Sequence, residues 1–240
     1  NTFVDIEISD SLSEGVFKGY EVTDKEVVTD QWNNTSTVKI LTITKAGSYK
    51  ITKDKKAGTW RVVIAAKIDD TVNLTLSNVE LNLSETGNSK NGGVPALEIT
   101  GDCETVITLD GTNTLKGGVN CAGLQNGTNK LTIKGDGSLT AQGGIRGAGI
   151  GGGAYAPGGN ITIESGTVNA TGGESAAGIG GGYNGNGSNI TISGGIVTAI
   201  CPINWNNKPT YAAGIGGGYM GDGTNITING GNVTATGGSG

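Results

Sequence analysis

One six-residue phrase constrains this chain more than any other feature. Ala148-Gly149-Ile150-Gly151-Gly152-Gly153 recurs as Ala177-Gly178-Ile179-Gly180-Gly181-Gly182 and again as Ala213-Gly214-Ile215-Gly216-Gly217-Gly218. Each block leads through a short Gly/Asn loop to Asn-Ile-Thr-Ile, at 160–163, 189–192 and 225–228. A turn follows, then Val168-Asn169-Ala170, Val197-Thr198-Ala199 and Val233-Thr234-Ala235. The blocks lie 29 and then 36 residues apart, and the extra length sits in one insertion, Cys201 to Tyr211. Fixed strands with a variable insertion are the mark of a solenoid, whose loops leave the stack sideways.

The strand physics agrees. Period-2 geometry sends Ile161 and Ile163 to one face and Asn160 and Thr162 to the other. One rung alone cannot bury its apolar face, so neighbouring rungs must cover it at a spacing of about 4.8 Å. Weaker copies run toward the N-terminus: Leu131-Thr132-Ile133, Ile107-Thr108-Leu109, Leu74-Thr75-Leu76 and Leu41-Thr42-Ile43. They predict an all-β, single-stranded parallel β-helix of about seven rungs. Thr42, Thr75, Thr108, Thr132, Thr162, Thr191 and Thr227 are expected in one outward ladder. Asn160, Asn189 and Asn225 are expected in another, with their amides bonded along the stack. The glycine runs suit corners with positive φ or close backbone approach. A β-sandwich is the competing arrangement, but the apolar residues keep phase around the glycines.

Composition removes other classes. Gly is 46 of 240 residues and Pro only 4, which excludes collagen. Val, Ile and Thr are too plentiful for disorder. His is absent, so the commonest general base and metal ligand is missing. Oxygen ligation of calcium stays open. The net charge of −5 without a long basic stretch speaks against nucleic acid. Nothing is long and apolar enough to insert in a membrane. Cys103, Cys121 and Cys201 form no zinc or haem motif. They read as buried thiols, with one disulfide plus a free thiol as the alternative. The chain reads as one domain cut from a longer protein.

Charge divides the domain. After residue 140 only Arg146, Glu164, Glu174, Lys208 and Asp222 are charged. Residues 1–37 are read as an N-terminal cap and 38–240 as the β-helix, with irregular rungs over 38–120 and regular Gly-rich rungs over 121–240. An open solenoid end is an unpaired edge, so a cap is needed. Phe3, Val4, Ile6 and Ile8 alternate with acids and suit a capping strand; Phe17, Tyr20 and Trp32 suit a cover over the first rung.

The phrase Thr42-Ile43-Thr44-Lys45-Ala46-Gly47-Ser48-Tyr49-Lys50-Ile51 resembles the opening of bacterial carbohydrate-binding β-helix domains. The likeness continues through Arg61–Ala66, Asp69–Leu76, Pro95–Ile99 and Thr105–Leu115 to the Ala-Gly-Ile-Gly-Gly-Gly blocks, covering roughly 38–240. The resemblance implies a right-handed coil similar to that of polysaccharide lyases, in a secreted or cell-surface bacterial protein. It also implies plant polysaccharides as ligands and calcium in the fold. No residue motif for a sugar site carries over.

The candidate sites are few. Tyr155, Tyr183 and Tyr219 follow the three glycine runs and line up along one edge. Two roles are open to them: a stacking platform for sugar rings, or covers for their own corners. Trp205 and Tyr211 belong to the insertion, where a Trp on a polar, Pro-braced loop is either a binding residue or a loop anchor. Trp60 precedes a strand and reads as structural. Asp70, Asp102 and Asp110 are the candidate calcium ligands, with turn chemistry the competing role. The regular rungs offer a lyase no base beyond Arg146 and Lys208, and no carboxylate pair suited to glycoside hydrolysis is placed. The expected function is therefore non-catalytic polysaccharide binding. The runner-up is a structural or adhesive stalk, or a fibre module associating end to end. Lyase activity and ice binding by the Thr ladders rank lower.

Overall fold

The computed structural model describes residues 3–30, 32–54, 58–88, 90–202 and 210–239. The described residues form a parallel β-helix with three sheets. The first has eight strands, from Val4–Ile8 through Gly47–Lys53, Thr71–Ser77, Glu104–Asp110, Leu131–Gly135, Gly158–Ile163 and Gly187–Ile192 to Gly223–Ile228. The second has six, from Glu80–Asn82 through Thr112–Lys116, Ser138–Gln142, Thr167–Thr171 and Ile196–Ile200 to Asn232–Thr236. The third carries the Ala-Gly-Ile-Gly blocks as two-residue strands, Ile150–Gly151, Ile179–Gly180 and Ile215–Gly216.

Register brings like residues together. Leu131, Ile161, Ile190 and Ile226 stack, as do Ile133, Ile163, Ile192 and Ile228. In the second sheet Leu139, Val168, Val197 and Val233 form one column and Ala141, Ala170, Ala199 and Ala235 the next. Within the stack these side chains are fully buried, each contributing about 1.5–3 kcal/mol for a large aliphatic. On the last rung the cover ends, and Ile228 is 53% exposed.

The glycine blocks meet both expectations. Gly180 has φ +130°, and a Cβ there would stand 2.0 Å from the backbone oxygen of Gly216 on the next rung. A Cβ on Gly182 would stand 1.9 Å from Gly153 O on the rung before. The corners therefore stack backbone on backbone, with no room for a side chain. The Asn ladder also forms. Asn189 Nδ2 donates to Asn160 Oδ1 at 3.0 Å, and Asn225 Nδ2 donates to Asn189 Oδ1 at 3.0 Å. All three hold a left-handed backbone, φ 53–54°, which Asn tolerates better than other non-glycine residues.

The Thr ladder needs correction. Thr132, Thr162, Thr191 and Thr227 are in register, but Thr132 pairs with Val106 rather than Thr108. Thr75 and Thr108 align two residues away and continue to Lys50 and Lys134. A two-residue shift keeps every side chain on its face, so alternation alone does not detect it. Thr42 lies in the third sheet, opposite Val63.

The N-terminal segment is built into the stack. Val4–Ile8 pairs parallel with Gly47–Lys53 and buries Ile6 and Ile8, while Phe3 is 47% exposed. Tyr20–Thr29 pairs antiparallel with Thr35–Ile43, closing the edge of the third sheet. The latter strand straddles the expected boundary at residue 37. Phe17 stacks on Tyr20 at 4.8 Å, and Tyr20 packs against the core, but Trp32 is 76% exposed and covers no rung. The buried aromatics are Trp60, under the Lys39 ammonium, and Tyr49. The Tyr49 hydroxyl donates to Lys45 O at 3.0 Å and Gly19 O at 3.2 Å, and burial pushes its pKa up. Among the described residues the three cysteines are buried and form no disulfide, and burial pushes the Cys201 thiol up as well.

Two substitution pairs test this packing. Gly180→Ala meets both a clash and a strained φ, and should destabilise by about 3 kcal/mol in a denaturant titration. Gly127→Ala, with φ +55° but open space around it, should lose only about 1 kcal/mol; equal losses would contradict backbone stacking as the cause. At Asn189, Gly removes the ladder and should destabilise by about 1 kcal/mol, whereas Ala also strains φ and should lose about twice that.

Candidate ligand-binding site at the tyrosine corner

The corner after the glycine runs repeats a fixed hydrogen-bond pattern. Tyr183 N donates to Arg146 O at 2.9 Å, and Tyr219 N donates to Ser175 O at 3.0 Å. On the preceding rung the same role falls to Ala154 N, bonded to Asn120 O at 2.8 Å. Tyr183 and Tyr219 are therefore equivalent, and Tyr155 sits one residue further on. Its equivalents are Asn184 and Met220, and all three have left-handed backbones, with φ 62°, 57° and 55°.

This offset explains the ring geometry. Tyr183 and Tyr219 leave the backbone at matching positions, and their rings stack 5.3 Å apart at 24°. Tyr155 leaves from the left-handed position and meets Tyr183 edge-on, 5.6 Å away at 81°. Tyr211, at the end of the insertion, brings a fourth ring to within 5.8 Å of Tyr219. The structure thus gathers all four expected tyrosines on one ledge. Tyr183 and Tyr219 are half-buried, while Tyr155 and Tyr211 are 62% and 52% exposed. Trp205, the remaining binding candidate, lies outside the described residues.

Charged partners complete the ledge. The Arg146 guanidinium lies 5.1 Å from the centre of the Tyr183 ring, within the range of a cation–π contact. Arg146, Glu174, Ser175, Tyr183, Tyr211 and Tyr219 line a cavity of about 240 Å³. Arg146, Tyr155, Ser175 and Met220 all hold left-handed backbones, a conformation that disfavours such residues and that gathers at functional sites. Reading the tyrosines alone missed Arg146, Glu174 and Ser175. A signal existed: Arg146 and Ser175 each stand two residues before an Ala-Gly-Ile block, and Arg146 and Glu174 are among the few charges after residue 140.

The acidic residues do not come together. Asp70 and Asp102 lie at the same end of adjacent rungs, where Glu104 N donates to Asp70 O at 3.0 Å. Asp70 Oδ2 accepts from Lys67 N at 3.1 Å, which is turn chemistry. Asp110 lies at the far end of the strand Glu104–Asp110, about 20 Å along it. There it accepts from Ser77 Oγ at 2.8 Å and Lys50 Nζ at 3.3 Å. The Ser77 hydrogen bond first, and then Lys50, hold its carboxyl below the usual carboxylate range. What this depressed pKa contributes to stability is present above the ordinary carboxylate pKa and is lost as pH falls through the lowered one. Among the described residues no group of three or more His, Cys, Asp or Glu is placed to hold a metal. The expected calcium set of Asp70, Asp102 and Asp110 does not fit one ion.

A family model described as Beta helix repeat matches residues 131–154, 161–183, 190–219 and 226–240. The matched segments are the regular rungs, and they contain Tyr183, Tyr211 and Tyr219 of the ledge, while Tyr155 falls just past the first of them. No curated protein and no solved structure matches the chain.

The separation of the acids gives a direct expectation. Adding a calcium chelator should leave the thermal unfolding midpoint within about 1 °C of its value in calcium, since only a ligand bound to the folded state shifts it. A chelator-induced drop of several degrees would contradict this reading of the acids.

Proposed function

We propose that this protein binds a polysaccharide at the tyrosine ledge and does not cleave it. The observation that carries this reading is the run of ring contacts that joins four tyrosines from three rungs and an insertion, three of which, Tyr183, Tyr211 and Tyr219, line one small cavity. Flat, partly exposed rings offer apolar faces to the C–H face of a sugar, while their hydroxyls reach water or the ligand. Arg146, Glu174 and Ser175 add donors and acceptors that orient a hydroxyl-rich partner, the combination of apolar surface and few polar groups that small-ligand sites use.

The same residues support the reading of binding without cleavage. Glycoside hydrolysis by the two-carboxylate route needs a pair flanking the scissile bond, and Glu174 is the one carboxylate among the described lining residues. A calcium-assisted lyase route needs an acid cluster, and among the described residues no three acids stand together.

Retention on insoluble polysaccharides tests the proposal. Tyr183→Ala and Tyr219→Ala should each weaken binding about tenfold, in the range of an aromatic hot spot. Trp32→Ala, which removes an exposed ring from the far cap, should leave binding unchanged. Equal losses from all three would reveal non-specific aromatic adhesion, and no retention on any polysaccharide would reject the function.

A further inference from the structure

We infer that the tyrosine cavity is one end of a longer groove and that the ligand is a neutral, linear glycan chain lying along the stack. The inference rests on the sugar-binding reading of the ledge and extends it to the shape and charge of the ligand. A second concavity, of about 450 Å³, runs along the corner where the second sheet ends. Glu174 lines both this groove and the tyrosine cavity, so the two adjoin.

The groove follows from the packing of the rungs. Lys116, Gln142 and Thr171 end successive strands of the second sheet in register and form one wall. The next residues in each rung are glycines. A Cβ on Gly144 would stand 1.9 Å from Gly118 O, and one on Gly173 would stand 1.8 Å from Gly144 O. Stacking therefore excludes side chains from the floor on rung after rung, and the depression is continuous. Its lining runs from Glu85 to Pro202 across five rungs, about 19 Å along the axis. A single sugar would leave most of that length empty.

Two observations select the ligand class. First, the glycines of the floor donate their backbone N–H groups within the stack and not to an added peptide strand. Gly143 N donates to Thr171 O at 2.9 Å, Gly144 N to Cys121 O at 3.0 Å and Gly173 N to Gly147 O at 2.7 Å. β-Strand addition needs an unpaired edge, and this surface runs across the strands. Amide, hydroxyl and carbonyl groups beside the exposed Ile145 suit a chain of sugar hydroxyls and C–H faces. Second, the described lining charges balance: Glu85 and Glu174 against Lys116 and Arg146. A polyanion would gain near the two cations and lose near the two acids. A neutral chain meets no such penalty.

Isothermal titration separates this inference from the reading it rests on. The probes are cello- and manno-oligosaccharides of two to six units, with oligogalacturonides of equal length as the anionic set. One neutral series should bind, its hexasaccharide about tenfold more tightly than its disaccharide, with little dependence on salt. Lys116→Ala combined with Gln142→Ala should cost about tenfold for the hexasaccharide and nothing for the disaccharide. These are side chains at strand ends, and an unchanged thermal midpoint will show that the fold is intact. Tyr219→Ala should weaken both lengths. Equal affinity for both lengths, or a hexasaccharide unaffected by the double variant, overturns the groove and leaves the tyrosine site standing. Binding of oligogalacturonides alone, lost in high salt, overturns the neutral chain. Binding of none overturns both the groove and the site.

Discussion

The close approach of backbone to backbone between successive rungs governs the rest of this structure. Parallel pairing sets the rungs about 4.8 Å apart, and at the glycine corners no side chain fits in that interval. Gly180 and Gly182 show the constraint directly, each facing a carbonyl oxygen of a neighbouring rung. Once the corners stack, the strands between them fall into register, and like meets like: isoleucine on isoleucine inside, asparagine on asparagine outside. The same constraint shapes the outer surface. It clears the corners of side chains and leaves shallow channels along the axis.

The candidate site arises where single rungs depart from this regularity. The stack gives every rung the same backbone at the tyrosine corner, so chemistry enters through substitutions and insertions. Arg146 and Tyr155 occupy left-handed positions that Asn fills elsewhere, at Asn120 and Asn184. The insertion after Cys201 returns to the stack at Tyr211 and adds a ring that no other rung supplies. A uniform scaffold with local exceptions is the general logic of solenoid binding surfaces.

Much of this was legible in the sequence, and the failures have a common physical origin. The regular rungs were readable because alternation, glycine placement and spacing all agree over 121–240. The Asn ladder was readable because one residue type recurs at one offset. Over 38–120 the Leu-Thr-Ile type of triplet occurs in more than one sheet, so period-2 alternation cannot assign it. Thr42 was therefore grouped with the wrong sheet, and Thr108 with a register two residues off. The tyrosines were found because aromatics are scarce. Arg146 reads in the sequence only as a possible lyase base, because its neighbour, Tyr183, is 37 residues away and the two meet only through corner geometry. Asp110 is expected beside Asp70 and Asp102 because adjacent rungs could bring all three to one corner, but a whole strand separates it from them.

The central claim is that the ledge of tyrosines meets the ligand. The chain has six tyrosines, four on the ledge and two, Tyr20 and Tyr49, in the cap and core. The most direct measurement follows the tyrosine ring signals by NMR during titration with an oligosaccharide drawn from a retained polysaccharide. The account predicts shifts at Tyr155, Tyr183, Tyr211 and Tyr219, with Tyr20 and Tyr49 unmoved. Saturable binding that leaves the four ledge rings unshifted would contradict it.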